Sequence, residues 1–317
     1  MPFKTRRKFS LGNIGLFATA AVCLWSTAAP VFALIDPGIP VTTVVALQYI
    51  ISAVIIVAYN VVMRGRLPFA NGAGGNSSGV DVSSIDLRLV YFVFLFALLN
   101  VTHELSYYFG IRSPCAFEAN ILNYLWPVWL FIFSVALTWR ASPSSTITKG
   151  ILPLLLAFVG VVIMLFSAPM LNTCGFAPKA AGFVSSLSAA GYMVVFTRLS
   201  TQYRVSFLAL LTLTLPILAL AFGISLAFVP WYSPAIVANL PLILYLALFT
   251  VVVPEVIWAA GLARFGGAPL AKWAYLIPLL STLLLTLVKK QMPTYQTLGG
   301  GLIILVSVWI SSRFADD

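Results

Sequence analysis

Apolar residues in this chain come in blocks of about twenty, set apart by short polar or basic punctuation. A helix that crosses a bilayer needs roughly 20 such residues. Ten segments qualify: 14–35, 41–62, 89–110, 115–137, 150–167, 180–197, 206–229, 240–262, 268–288 and 295–312. None shows the short polar/apolar alternation of a membrane β-barrel strand. The pattern predicts an all-α membrane protein of ten transmembrane helices.

Two blocks match each other without a gap. Phe94–Pro127 pairs with Tyr245–Pro278 at a constant offset of 151 residues. The pairing joins Glu104 to Glu255, Gly110 to Gly261, and Tyr124-Leu125-x-Pro127 to Tyr275-Leu276-x-Pro278. Shared leucines carry little weight in so apolar a chain, whereas a shared intramembrane Glu carries more. The matching stretches fall in the third and fourth segments and in the eighth and ninth. Five segments per half is an odd number, so the second half enters the membrane from the opposite side. The expected architecture is two inverted five-helix repeats, 1–170 and 171–317, around a central cavity. Duplication of this kind is typical of secondary transporters, whose substrate site lies between the repeats.

Composition agrees. Hydrophobic residues make up 61% of the 317 positions and charged residues 8%, against about 25% charged in a soluble domain. The net charge of +10 points to nucleic acid only until the positions are read. Thirteen of the 18 Lys and Arg, from Lys4 and Arg64 through Arg140 and Arg204 to Arg313, fall on one side of the ten-segment layout. The positive-inside rule then places both termini in the cytoplasm. The basic excess reads as topology, the partner as a lipid bilayer, and no nucleic-acid or obligate protein partner is implied.

The N-terminus imitates a signal peptide. Thr5-Arg6-Arg7-Lys8-Phe9 resembles a twin-arginine motif and Val31-Phe32-Ala33 a cleavage site. Gly15–Trp25, however, resembles Gly182–Tyr192 at the start of the second half, so the first segment is expected to belong to the fold. The glycine-rich loop between Gly65 and Leu87 is linker material, because no Lys-Ser/Thr closes it as a phosphate loop. Cys115 and Cys174 fall on the non-cytoplasmic side, where they either pair or stand as two unrelated small residues. His103 is the only histidine, no metal-ligand spacing occurs, and no cofactor is implied.

The few charges inside the segments are Glu104, Glu118, Glu255 and Lys272. Each costs about 2.5–3.5 kcal/mol at the bilayer centre on insertion scales, so they should face the interior or water. Asn100, His103, Tyr107 and Gly110 recur at helical spacing beside Glu104. Asn120, Asn123 and Pro127 share a face of the next segment, and Pro127 and Pro278 each remove a backbone hydrogen bond. The expected cavity-lining set is Trp25, Asn100, His103, Tyr107, Glu118, Asn123, Trp126, Tyr192, Trp258, Lys272, Trp273 and Tyr275. Glu104, Glu255, Pro127 and Pro278 fit gating or structural roles.

Asn123-Tyr-Leu-Trp-Pro127 after Ala-Asn-Ile-Leu resembles the fourth-helix motif of the drug/metabolite transporter superfamily, EamA-type. The fuller pentapeptide resembles the aromatic amino-acid exporter branch. That resemblance spans the length, the ten segments and the second Tyr-Leu-x-Pro. It implies a basket of ten helices, a cavity lined by the first, third, fourth, sixth, eighth and ninth of them, and export of amino acids or related metabolites. Many members carry Gly-Glu after the ninth helix, where this chain has Val288-Lys-Lys-Gln-Met-Pro293. The expected function is inner-membrane export of aromatic or other bulky neutral amino acids by alternating access. Glu118 and Lys272 would meet the zwitterion, and aromatic walls its side chain. Rivals are a transporter of another cargo, such as a nucleotide sugar, a cation or another metabolite, and an intramembrane enzyme. The enzyme reading lacks clustered intramembrane Asp for magnesium-diphosphate and a Gly-x-Ser motif matched to His103.

Overall fold

A computed structural model describes residues 11–64, 87–126, 129, 132–133, 152, 155–156, 158–163, 175–203, 207–226, 233–258, 272–290 and 295–314. For some of these, including Glu118, Lys272 and Tyr275, only the backbone is described. All regular structure among the described residues is helical. The helices are α1 (Leu11–Ser26), α2 (Ala28–Phe32), α3 (Val41–Arg64), α4 (Leu87–Arg112), α5 (Ala116–Asn123), α6 (Phe176–Tyr203), α7 (Phe207–Leu226) and α8 (Pro234–Tyr245). α8 runs on as a π-helix over Leu246–Val252 and returns to α-helical winding as far as Trp258. A 3-10 turn at Lys272–Tyr275 leads into α9 (Leu276–Val288), and α10 (Tyr295–Phe314) closes the order.

Four stretches are long and apolar enough to cross a membrane: Val41–Tyr59, Leu87–Arg112, Phe176–Leu199 and Pro234–Trp258. Shorter apolar helices occupy Ala18–Phe32, Ala209–Leu220, Leu276–Val288 and Leu298–Ser307. Their outer faces carry large apolar side chains in the open, such as Leu16, Val62, Phe94, Leu220, Leu287 and Leu302. Water would not tolerate so continuous a coat, whereas hydrocarbon does. The chain is a membrane-embedded helical protein.

The helices pack as interlocked pairs. The broadest contact joins α4 to α6, the next α3 to α7, and α5 also lies along α6. Small residues allow the close approaches. A Cβ on Gly182 would sit 2.6 Å from the Ala119 carbonyl oxygen, and one on Gly110 2.6 Å from the Ala119 Cβ. Ala119 is thus wedged between α4 and α6. Gly110, which recurs at helical spacing with Asn100, His103 and Tyr107, serves this contact. On the other flank α1 packs on α9, with Ala18, Ala21 and Val22 fully buried there. The first apolar segment is therefore part of the core.

Both Tyr-Leu-x-Pro motifs interrupt α-helical winding. α5 ends at Asn123, where Tyr124 N–H donates to Ile121 O (3.1 Å) and Leu125 N–H to Leu122 O (3.2 Å), the tighter i→i+3 pattern. A helix continuing to residue 127 would need a proline N–H to bond the Asn123 carbonyl, and proline has none. The fourth segment, 115–137, is thus interrupted just before Pro127, which lies outside the described residues. At the second motif the 3-10 turn Lys272–Tyr275 precedes Pro278, which is buried in the first turn of α9. A missing N–H there is harmless, so Pro278 shapes a helix start and does not kink a helix interior.

Candidate functional site: a cavity among the helices

A cavity with about 940 Å³ of space free of protein atoms, its open mouth included, lies among the helices. Trp25 comes from α1 and Tyr49 from α3. α4 contributes Asn100, His103, Glu104, Tyr107 and Tyr108, and the end of α5 contributes Asn123, Tyr124 and Trp126. Ala189, Tyr192 and Met193 of α6, Leu211 and Leu215 of α7, Thr250, Val251, Glu255 and Trp258 of α8, and Ile277 of α9 complete the wall, with Ala28 from α2.

Several of the sequence-derived residues meet here: Trp25, Asn100, His103, Tyr107, Asn123, Trp126, Tyr192 and Trp258, together with Glu104 and Glu255. Trp273 does not. It packs behind the wall in the apolar cluster of Trp25, Trp258, Tyr124 and Ile277. The side chains of Glu118, Lys272 and Tyr275 lie outside the described residues. Sequence reading missed Tyr49, Tyr108, Thr250 and the α7 leucines, and so missed that the helices of the second and seventh segments reach the cavity. The signal for Tyr49 was present as Gln48, Tyr49 and Ser52, a polar edge in an otherwise apolar helix.

One wall is a hydrogen-bonded web. His103 Nδ1 lies 3.1 Å from the Ser185 carbonyl oxygen. A carbonyl only accepts, so Nδ1 carries the proton and Nε2 is left as the ring's acceptor. Ser185 Oγ lies 2.9 Å from the same nitrogen and donates to Asn123 Oδ1 at 2.6 Å. This chain ties α4, α6 and the end of α5 together. Tyr107 OH donates to Asn120 Oδ1 (2.8 Å), and Asn120 Nδ2 donates to Thr282 Oγ1 (3.3 Å). Ser281 Oγ also donates to Asn120 Oδ1 (3.2 Å), so α4, α5 and α9 are linked through one buried amide. Tyr49 OH donates to Asn100 Oδ1 at 2.5 Å, bridging α3 to α4.

The remaining wall is aromatic. Trp25 meets Trp258 edge to face at 5.2 Å between ring centres. His103 stacks on Tyr107 (6.1 Å) and meets Tyr192 edge-on (5.8 Å). Rings held in this way offer flat apolar faces that keep their orientation, suited to another ring system.

Glu104 and Glu255 lie close enough for the charge of one to act on the other. No described lining residue is Lys or Arg. Gln48, fully buried on α3, and Tyr108 face the Glu104 carboxylate, and Thr250 faces Tyr108. Even so, neither polar atom of the Gln48 amide closes a hydrogen bond of acceptable length and angle. Oε2 of Glu104 and Oε2 of Glu255 are likewise buried without a partner.

Outside the cavity, Cys115 is buried at the start of α5 and disulfide-bonded. The reading of Cys115 as an unpaired small residue is thereby overturned. Cys23 is exposed and free, and Cys174 lies outside the described residues.

No protein-family model matches the chain, and no curated protein does. Among solved structures, one crystal structure superposes with a TM-score of 0.68 over 97% of this chain and 99% of its own, at 19% sequence identity. The likeness is one of fold.

Proposed function

We propose that this protein is a secondary transporter of the drug/metabolite type that exports aromatic or other bulky neutral amino acids across a bacterial inner membrane by alternating access. The observation that carries the reading is the cavity, polar on one side and aromatic on the other, formed where the duplicated segments meet. An indole or phenyl side chain would lie against Trp25, Trp258 and Tyr192, gaining about 1.5–3 kcal/mol from burial. The α-ammonium would meet the Asn100 amide oxygen, and His103 Nε2 offers a further acceptor.

Two of the helix contacts are what inverted repeats would produce. A two-fold axis in the membrane plane would exchange α3 with α7 and the Glu104 helix with the Glu255 helix. It would also turn the α5–α6 contact into the α9–α1 contact, and both contacts occur. Topology follows the basic residues, with both termini cytoplasmic. The Cys115 disulfide, on the opposite side in that scheme, suits an oxidising compartment. Glu118 and Lys272 remain proposed contacts for the zwitterion. A cationic aromatic cargo is the second reading, supported by two acids and no base among the described lining residues. An intramembrane enzyme finds less support, since His103 is committed through Nδ1 to a backbone carbonyl.

The test is counterflow in proteoliposomes loaded with unlabelled tryptophan. Labelled tryptophan and phenylalanine should accumulate transiently, and Trp258→Ala should reduce the uptake rate at least tenfold at equal reconstitution. Accumulation of an aromatic amine, with no tryptophan uptake, selects the second reading. Absence of uptake for the whole amino-acid panel refutes the first.

A further inference from the structure

The cavity reading leaves a group of polar side chains unexplained. Glu104, Tyr108, Thr250 and Glu255 line the cavity on α4 and α8, and Gln48 of α3 lies against Glu104 and Tyr108. Burying an amide without a partner is costly, yet both polar atoms of the fully buried Gln48 lack one, as do Glu104 Oε2 and Glu255 Oε2. A fold that needed only an acid–amide contact would have closed it. Three unpartnered groups converging on one place are the mark of a ligand supplied from outside.

The backbone is irregular at the same place. The π-helical turn Leu246–Val252 is followed by Pro254. Proline cannot donate the bond that the Thr250 carbonyl would receive in an α-helix, and its ring crowds that carbonyl. Thr250 Oγ1 donates its own proton to the Leu246 carbonyl at 2.7 Å. Its lone pairs are left for another partner. Ser52 Oγ reaches across from α3 to the Ala247 carbonyl at 3.2 Å, satisfying one oxygen of the widened turn. Membrane helices keep such breaks where the released oxygens line a cavity or hold an ion.

We infer that Glu104, Glu255, Gln48, Tyr108 and Thr250 form a binding site for one monovalent metal ion, Na⁺, against the cargo cavity. The available donors are all oxygens, the preference of a hard cation. Two carboxylates that share the cavity and act on each other's charge would be held by a positive charge between them, with the Gln48 amide oxygen, the Tyr108 phenol and the Thr250 hydroxyl completing the shell. Among the described residues no group of three or more His, Cys, Asp and Glu gathers to hold a metal. That shortage of charge favours a monovalent ion over a tightly held divalent one. The site spans α4 and α8, so an ion there ties the two sequence-matched helices together. It stands on binding alone and does not depend on the identity of the cargo.

The test uses the purified full chain in detergent and ²²Na⁺ in a scintillation-proximity format, with ionic strength held constant. Unlabelled NaCl should displace the label saturably, with one ion per chain. Glu104→Gln and Glu255→Gln should each weaken binding at least tenfold, and Gln48→Leu and Thr250→Val several-fold. If the Glu variants are not monodisperse, Thr250→Val decides, because it keeps volume and helix while losing one oxygen donor. Unchanged Na⁺ affinity in that variant overturns the inference. So does absence of saturable binding, displacement by CaCl₂ at lower concentration than by NaCl, or displacement by tryptophanamide that is lost in Glu255→Gln. The last result would make the carboxylates the cargo's ammonium site. Counterflow of tryptophan without ²²Na⁺ binding overturns the ion site and leaves the transport reading intact. The reverse result refutes tryptophan as the cargo and leaves the ion site.

Discussion

Ala119 offers the sharpest quantitative handle on this fold. It is held between Gly110 of α4 and Gly182 of α6, and the two glycines touch different parts of it. A Cβ at 182 meets Ala119 backbone at 2.6, 2.8 and 3.1 Å (O, Cα and C), whereas a Cβ at 110 meets the Ala119 methyl at 2.6 Å. Ordinary contact begins at 3.4 Å, so Gly182→Ala must push α5 away from α6 by about 0.8 Å. One turn further along the same pair of helices, Ser185 donates to Asn123 at 2.6 Å. The same withdrawal would take that bond to about 3.4 Å, outside the usual hydrogen-bond range. Overpacking of this kind costs about 1–3 kcal/mol, and the strained bond adds about 0.5–1.5 kcal/mol. Thermal unfolding followed by intrinsic fluorescence should show a lower midpoint for Gly182→Ala. Gly223→Ala, with nothing within 4 Å of the new Cβ, should be neutral or gain about 0.5–1 kcal/mol. Adding Ala119→Gly should rescue Gly110→Ala, whose clash is with a methyl group, but not Gly182→Ala, whose clash is with backbone. Equal rescue of both, or a Gly182→Ala midpoint at or above that of the parent, would refute this account of the contact.

Asn120→Leu should cost about 1–3 kcal/mol by stranding Tyr107, Thr282 and Ser281 in a dry interior, read as a lower midpoint in the same assay. Reducing agent should lower the midpoint of the parent by the equivalent of about 2–4 kcal/mol through loss of the Cys115 disulfide. It should leave Cys115→Ser unmoved, and an equal drop in both would contradict a structural bridge. In intact cells of a Cys23→Ala background, an impermeant thiol reagent should label Ser233→Cys and miss Gly72→Cys. The reverse pattern contradicts the proposed orientation.

How much of this was legible in the sequence depends on which force places each residue. Burial of long apolar blocks is a local property, so helix existence along α3, α4, α6 and α8 follows from hydropathy alone. Glu104, His103, Asn100 and Tyr107 could be singled out because polar groups in lipid are costly wherever the helix is packed. Helix breaks were only half visible. Proline marks where a hydrogen bond is lost, but neighbouring packing decides whether the chain answers with a kink, a 3-10 turn at Tyr275 or a π turn before Pro254. Trp273, expected on the wall, packs behind it for a related reason. Which face of a helix meets the cavity depends on its rotation against its neighbours, and an apolar helix carries almost no periodic signal of that rotation. Gln48 and Tyr108 acquire meaning only when α3 and α4 are brought together.

The π turn in α8 has a geometric consequence. Counted in residues, Glu104 and Glu255 are equivalents, each ten positions beyond the start of its matched segment. Between Tyr245 and Glu255 the winding widens to i→i+5 bonding, while α4 stays α-helical throughout. Equal residue counts therefore produce unequal rotation and unequal rise, and no symmetry operation can superpose one carboxylate's surroundings on the other's. The two acids are chemically identical and structurally distinguishable. If the halves exchange roles as the protein turns from one side of the membrane to the other, the two end states are not images of each other. They would then differ in free energy even with identical solutions on both sides, and the resting protein would favour one opening.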